Sequence, residues 1–214
     1  MLISHSNKFI FIHNYKVAGT SIKDALLPYS SVSKEKSSLS QKLRHLLGNY
    51  PKIYSADFPA HINTKELREQ LPNTTFQDYY KFGFVRDPWD WQVSLYTYML
   101  KSQKHPQHKF IKKMNSFEEY INWRVNDEVR LQKNVFYDGD ECLVDFVGKM
   151  ETLNSDFSKI CNRVEVDASL PHLNRSRSEV SHLKYYNQKT VDLVYEAFLD
   201  DIQTFGYKKP VLQH

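Results

Sequence analysis

Residues 13–21 carry side chains that could bind a phosphate group. They read His-Asn-Tyr-Lys-Val-Ala-Gly-Thr-Ser and follow a short apolar run. Lys16 supplies a full charge, Thr20 and Ser21 supply hydroxyl donors, and Gly19 allows close approach of the backbone to an anion. A helix that begins at this point would add its free N–H groups and positive dipole end. The segment is not a G-x-x-x-x-G-K-[ST] loop, because the lysine precedes the glycine. A strand–turn–helix connection with a solvated lysine therefore stays open as a second interpretation.

A second candidate for anion chemistry is Arg86, which directly follows the apolar run 79–85. Asp87 is a good N-cap and Pro88 a good first helical residue, so a helix is expected over residues 88–101. Open α/β sheets bind ligands at the carboxyl ends of their strands, and a guanidinium suits bidentate contact with phosphate. An ion pair with Asp87, or a capping role at a neighbouring helix, would also account for this arginine.

Short strands alternate with helices along the chain. The predicted strands are residues 8–13, 79–85 and 142–147. The predicted helices are residues 20–27, an amphipathic stretch around Leu39 to Leu47, and residues 63–71, 88–101, 116–132, 152–162 and 187–203. This order favours an α/β fold, with a small parallel sheet flanked by helices on both faces. We expect one domain over residues 1–214.

The composition excludes several classes of protein. Aromatic residues make up 14% and charged residues 25% of the 214 residues, which argues against disorder, and the 6 glycines argue against collagen-like or glycine-rich chains. The net charge of +4 suits an anionic ligand without requiring nucleic acid. No apolar run is long enough for a membrane span or a signal peptide. Cys142 and Cys161 are too few for a disulfide framework, which favours a reducing compartment.

Together, the two phosphate-binding candidates resemble sulfotransferases. Residues 13–21 resemble the 5′-phosphosulfate-binding loop of that family. Residues 84–88, with Ser94 eight residues after Arg86, resemble its 3′-phosphate-binding strand–helix motif. The likeness continues in three later segments, residues 144–153, 171–176 and 195–207. It therefore extends from about residue 8 to residue 207 and is nearest to the carbohydrate sulfotransferases of the chondroitin, dermatan and heparan 2-O type, sulfotransferase family 2.

The resemblance implies a P-loop-like sulfotransferase fold and a reaction. The donor would be 3′-phosphoadenosine-5′-phosphosulfate (PAPS), the acceptor a hydroxyl of a carbohydrate or other molecule, and the second product adenosine 3′,5′-bisphosphate. By position, the residues implied to bind the donor are Lys16, Ala18, Gly19, Thr20 and Ser21 at the 5′-phosphosulfate, Arg86 and Ser94 at the 3′-phosphate, and Arg175 and Ser176 in a late loop. Lys16 is also expected to stabilise the charge that grows on the bridging oxygen.

The acceptor hydroxyl needs a general base, because its own pKa is very high. His61 is the first candidate: it precedes a predicted helix cap, and it aligns with the histidine that serves as base in the heparan 2-O type enzymes. His13 is the second candidate. Asp57 or Glu66 could serve instead, since other sulfotransferases use a carboxylate.

Two other functions stay open from the sequence: a P-loop-type nucleotide kinase, and a nucleotide-binding module without catalysis. The missing G-x-x-x-x-G-K-[ST] pattern and the lack of an evident Mg²⁺ ligand set weigh against the kinase. We expect a cytoplasmic, bacterial-type enzyme that uses no metal and binds no nucleic acid. The basic segment 101–113 could meet an anionic acceptor, contact an acidic membrane surface, or be a solvated loop.

Overall fold

The computed structural model describes residues 1–34, 36–170 and 182–212. Its strands are β1 Leu2–Ser4, β2 Phe9–Phe11, β3 Tyr80–Val85, β4 Tyr137–Asp138, β5 Glu141–Cys142 and β6 Phe146–Lys149. Its α-helices are α1 Gly19–Leu26, α2 Leu39–Leu46, α3 Thr64–Gln70, α4 Asn73–Asp78, α5 Pro88–Lys101, α6 His108–Ile111, α7 Phe117–Asn126, α8 Lys133–Phe136, α9 Leu153–Arg163, α10 Gln188–Ala197 and α11 Leu199–Thr204. Single 3₁₀ turns lie at Leu27–Tyr29, Ser55–Asp57, Met150–Thr152 and Leu183–Tyr185.

The main sheet has four strands in the order β1-β2-β3-β6. The strands β2, β3 and β6 run parallel, with Phe11 opposite Phe82 and Phe82 opposite Phe146. The edge strand β1 runs antiparallel to β2. The predicted α/β class with a small, mostly parallel sheet is therefore confirmed, and β1 is an addition that its three residues were too short to signal.

The third parallel strand begins later than the sequence predicted. The expected strand 142–147 is replaced by β6, Phe146–Lys149, while Glu141–Cys142 pairs with Tyr137–Asp138 in a separate two-stranded ribbon. Residues 142–147 are apolar except for Asp145, so the sequence gives no alternation that fixes the start of the strand, and pairing with β3 decides it.

The central strands are buried on both faces. Phe9, Phe11 and Phe82 are at most 1% exposed, which is why these strands are continuous apolar runs instead of alternating ones. Gly83 in β3 has to be small, because a Cβ there would lie 2.2 Å from Cε1 of Phe136.

Side-chain caps set the starts of three of the predicted helices. Asn63 accepts from the Glu66 amide, Asp87 from the amides of Trp89 and Asp90, and Ser116 from the Glu119 amide. Two of the predicted helices differ from the structure. The helix that begins after Ser116 ends at Asn126 instead of 132, and the predicted helix 187–203 is two helices, α10 and α11. The break between these two falls at the fully buried Phe198, whose backbone leaves the helical region.

The chain forms two compact units. Unit 1, Met1–Val85 with Asn134–Leu173, contains the sheet, and unit 2, Arg86–Lys133 with Asn174–His214, contains α5, α7, α10 and α11. Within unit 2 the indole of Trp89 is fully buried and donates to the Val191 carbonyl at 3.2 Å. The Tyr186 hydroxyl donates in turn to the Trp89 carbonyl at 2.8 Å.

A buried carboxylate organises the end of unit 2. Asp201, which is fully buried, accepts from the backbone amides of Gln132 at 2.9 Å and Lys133 at 2.8 Å. Burial raises the pKa of Asp201 from its usual 3.8 to about 6, even though both hydrogen bonds favour the charged form. Ionised Asp201 therefore stabilises the fold less than the protonated carboxyl does.

This raised pKa predicts an unusual pH dependence of stability. Because the folded protein holds the Asp201 proton more tightly than the unfolded chain, the stabilisation is complete below the usual pKa of 3.8 and is lost as the pH rises through about 6. Relative to Asp201→Asn, the free energy of unfolding of the natural chain should fall by up to about 3 kcal/mol over that range. Urea unfolding of both proteins at a series of pH values measures this difference in the free energy of unfolding. Parallel curves for the two proteins would contradict the assignment.

Candidate active site

The loop between β2 and α1 is tied to the neighbouring strand by hydrogen bonds. The Ile12 amide donates to the Phe82 carbonyl at 2.8 Å, which continues the parallel ladder beyond β2. The buried Asn14 donates from Nδ2 to the Phe84 carbonyl at 3.1 Å. These contacts hold the loop at the carboxyl edge of the sheet, where parallel α/β sheets bind their ligands.

Two residues of this loop adopt left-handed backbone without being glycine. Lys16 has a φ of 62° and Ala18 a φ of 47°. This conformation costs about 1–2 kcal/mol per residue for a side chain with a Cβ. Such strain persists where the surrounding structure enforces it, and it is concentrated at ligand sites. The same conformation occurs in turns at Lys8 and Glu165, so here it is compatible with a ligand loop and with a tight connection.

Gly19 is required for a reason that the sequence did not indicate. Its φ is outside the left-handed region, but a Cβ at this position would lie 1.7 Å from Nε2 of His13. The imidazole of His13 thus occupies the space beside the first residue of α1. We expected Gly19 to leave room for a ligand, whereas in this structure the His13 ring fills that room.

The N-terminus of α1 is built differently from that of α5. Ala18 occupies the N-cap position of α1 and has no side-chain acceptor, whereas Asp87 caps α5 through its carboxylate. Thr20 is exposed and Ser21 half-buried in the first turn of α1, which contains no acidic residue. Backbone N–H groups, hydroxyls and the helix dipole therefore combine in a first turn without negative charge, which suits an anion.

His61 lies beside this loop in unit 1. Its Nδ1 is 3.0 Å from the His13 carbonyl oxygen, which can only accept, so Nδ1 carries the proton. Nε2 is then the acceptor nitrogen, and the described part of the chain offers it no hydrogen-bond donor. The ring centroid lies 4.4 Å from that of His13 and 5.1 Å from that of Tyr15. An exposed imidazole with a defined tautomer is suited to accept a proton.

His13 is a poor competitor for the role of base. Burial, followed by repulsion from His61 and Lys23, lowers the pKa of His13 from its usual 6.5 to about 3. A nitrogen with this pKa is neutral at physiological pH but accepts protons weakly. The alternative carboxylate Asp57 accepts the Tyr54 amide at 2.8 Å and so caps a 3₁₀ turn, while Glu66 is exposed in the first turn of α3.

In unit 2, Arg86 is anchored through both its backbone and its side chain. The side chain is 13% exposed and meets Asp90 Oδ2 with Nε at 2.8 Å and with Nη2 at 2.6 Å. Gln132 accepts from the Arg86 amide at 3.0 Å and donates to its carbonyl at 2.8 Å. Gln132 therefore fixes the backbone and Asp90 the guanidinium, which leaves the side chain little freedom to lose on binding an anion.

Ser94 lies on the same face of α5 as Asp90, one helical turn further along, and is half-buried. Arg86 itself precedes the N-cap of α5, and its contact with this helix is the one with Asp90. Arg175 and Ser176 lie outside the described residues. The sequence did not assign roles to Asn14, Asp90, Gln132 or Asp201. Of these four, only Asp90 had a signal in the sequence, because an acidic residue four positions after Arg86 has the spacing of a helical ion pair.

The basic segment 101–113 is not a continuous loop. It contains the one-turn helix α6, which is anchored by the fully buried Ile111. Its lysines are all exposed, namely Lys101, Lys104, Lys109, Lys112 and Lys113. Among the described residues, no three His, Cys, Asp or Glu side chains are grouped as a metal site, and no helix has the length and apolar character of a membrane span.

Comparisons with known proteins fit this geometry. The model of the sulfotransferase family matches residues 1–208. The crystal structure of the mouse sulfotransferase SULT7A1 complexed with PAP is similar, with a TM-score of 0.50 and 14% sequence identity over 94% of this chain and 87% of that chain. At this identity the likeness shows the fold alone, and it confirms the predicted sulfotransferase fold. No curated protein matches the chain in sequence.

The packing of His13 against Gly19 predicts a strong coupling between these residues. Gly19→Ala should destabilise the protein by about 1–3 kcal/mol, because the new methyl group must displace the ring. In a His13→Ala background the same change should cost much less, since the space is then open. Chemical unfolding of the four proteins gives the coupling energy. Additive effects would show that the ring does not limit position 19.

Proposed function

Because the chain belongs to the sulfotransferase family, we propose that it transfers a sulfuryl group from PAPS to a hydroxyl of an acceptor molecule, most simply a carbohydrate. The observation that carries this proposal is the arrangement in unit 1. There a strained, lysine-bearing loop and an acid-free helix N-terminus lie beside a histidine whose tautomer is defined by the loop's own carbonyl.

The 5′-phosphosulfate end of the donor is assigned to the loop and the start of α1. Lys16 contributes charge, Thr20 and Ser21 contribute hydroxyls, and the backbone from Ala18 to Gly19 leads into the first helical turn. Negative charge grows on the bridging oxygen as the sulfur–oxygen bond breaks. Lys16 and the helix N-terminus would stabilise that charge in the transition state more than in the ground state, which is the condition for catalysis.

The 3′-phosphate is assigned to Arg86 and Ser94 in unit 2. The geometry within that unit supports this, since Asp90 and Gln132 orient the arginine and Ser94 follows on the same helical face. A guanidinium held in one orientation recognises phosphate with less loss of side-chain entropy than a mobile one. Arg175 and Ser176 complete the proposed donor site by sequence resemblance.

His61 is the proposed general base. The acceptor oxygen forms a bond to sulfur while the bond from sulfur to the 5′-phosphate oxygen breaks, and that oxygen keeps the electron pair. The acceptor proton moves to Nε2 of the neutral His61 ring, which is the accepting nitrogen when Nδ1 donates to the His13 carbonyl. The products are the sulfate ester and adenosine 3′,5′-bisphosphate. We propose a cytoplasmic setting for this reaction, in line with the expectation from the sequence.

The first test of the donor site is calorimetry without Mg²⁺. Adenosine 3′,5′-bisphosphate should bind far more tightly than ATP. Arg86→Ala should weaken the binding of adenosine 3′,5′-bisphosphate by about 2–5 kcal/mol. It should have little effect on the binding of adenosine 5′-phosphate, which has no 3′-phosphate. Arg130→Ala, at an arginine that is 71% exposed in the same unit, is the matched control. An equal loss for both nucleotides would refute the role of Arg86, and tight Mg²⁺-dependent ATP binding would refute the sulfotransferase proposal.

The second test concerns the base. His61→Ala should lower kcat by about 10²–10⁴ and leave binding of adenosine 3′,5′-bisphosphate nearly unchanged. Transfer of labelled sulfate from PAPS to a panel of glycans is the assay, and Asp57→Asn and Glu66→Gln are the controls. Unchanged turnover in His61→Ala, or a comparable loss in either control, would remove His61 from the mechanism.

A further inference from the structure

Helix α2 presents its apolar side to solvent. The sequence predicts an amphipathic helix here, and such a helix normally turns its apolar stripe toward the core. In the structure the exposed fractions are 86% for Leu39, 55% for Leu43, 79% for Leu46 and 64% for Leu47. At 100° per residue these four side chains lie within an arc of about 100°. They therefore form one continuous surface, which we call the leucine stripe.

The opposite side of α2 is the one attached to unit 1. His45 is buried, and its ring centroid lies 5.6 Å from that of His5, 5.6 Å from that of Tyr50 and 5.2 Å from that of Tyr54. Ser38 and Gln41 close a capping box at the start of the helix. The helix is thus anchored in an orientation that leaves the leucine stripe outward.

Basic residues surround the leucine stripe. Lys42 and Arg44 project on either side of it, and both are exposed. Further exposed lysines precede and follow the helix, at Lys34, Lys36 and Lys52. The sequence has no Asp or Glu from Lys36 to Ser55. Within the described residues, none of these five cations forms an ion pair with a carboxylate.

The size and charge of this surface favour a lipid membrane over a protein partner. The eight residues of α2 span about 12 Å, so the stripe covers roughly 12 by 10 Å. A stable protein–protein interface needs about 800 Å² from each partner, far more than this. An interfacial helix, in contrast, inserts only its apolar side chains to a depth of about 5–10 Å, while flanking lysines and arginines meet anionic headgroups.

We infer that the leucine stripe of α2 and its flanking basic residues dock the protein on an anionic lipid surface. The leucines insert among the acyl chains near the headgroups, and Lys42, Arg44 and the neighbouring lysines hold the negative charge of the leaflet. The attachment is reversible, because one short helix buries few apolar groups. This site is separate from the proposed donor site and does not depend on the proposed reaction.

Flotation with lipid vesicles tests the inference on the full chain. Vesicles of phosphatidylcholine with about 30% phosphatidylserine should bind the protein, whereas pure phosphatidylcholine should bind it far less. Leu43→Ser combined with Leu46→Ser should weaken binding at least about tenfold, because the inserted groups are lost. Val211→Ser, at an apolar residue that is 85% exposed elsewhere, should have no effect. Equal binding by the stripe variant and this control would overturn the inference.

Charge reversal provides the second arm. Lys42→Glu should weaken binding about fivefold or more, and binding should fall steeply when salt rises from about 0.1 M to about 0.5 M. Lys104→Glu is the control in the basic segment 101–113, and an equal effect there would overturn the assignment to α2. Sedimentation velocity distinguishes a lipid surface from a second copy of the chain. A dimer that the leucine variant converts to a monomer would show that a second copy covers the stripe, and would overturn the inference. Binding of adenosine 3′,5′-bisphosphate should be unchanged in every variant.

Discussion

The contact between His13 and Gly19 is the constraint on which the candidate active site depends. The His13 ring occupies the place of a side chain at position 19, so any larger residue at the start of α1 has to displace the ring. The carbonyl of the same histidine sets the tautomer of His61, and the hydrogen bonds of Ile12 and Asn14 hold both to the strand β3. His13 thus links the start of α1, through its ring, to the proposed base, through its backbone carbonyl.

Unit 2 relies on a buried polar network instead. Asp201 accepts a hydrogen bond from the Gln132 amide. The Gln132 side chain is hydrogen-bonded to the backbone of Arg86, and Asp90 accepts from the guanidinium. Each member satisfies polar groups that would be costly to bury alone. The network has a price in stability, because ionised Asp201 is buried with a pKa of about 6. Such a compromise is typical where a fold must hold a charged group in one orientation.

The proposed docking of the leucine stripe on a membrane agrees with the proposed sulfuryl transfer. A sulfotransferase that docks reversibly on an anionic leaflet meets acceptors that are themselves attached to lipid, and a lipid-linked saccharide offers the hydroxyls that the reaction needs. The stripe lies on α2, whereas the proposed donor-binding residues of unit 1 lie on the loop before α1 and on the start of that helix. The proposed membrane docking and the proposed sulfuryl transfer can therefore be tested by separate substitutions.

The amino-acid sequence by itself determined the fold class, the family and the start of most helices. Those properties rest on local patterns: apolar runs at Phe9 and Phe82, caps at Asn63, Asp87 and Ser116, and the order of the two segments that resemble sulfotransferase motifs. The tertiary structure alone decided which side of α2 is buried, why position 19 is glycine, and that Gln132 orients Arg86. Each of these depends on residues that are distant in the chain and meet only on folding, such as His45 with His5. A local pattern can show that a helix is amphipathic, but the packing around it decides which face the solvent meets.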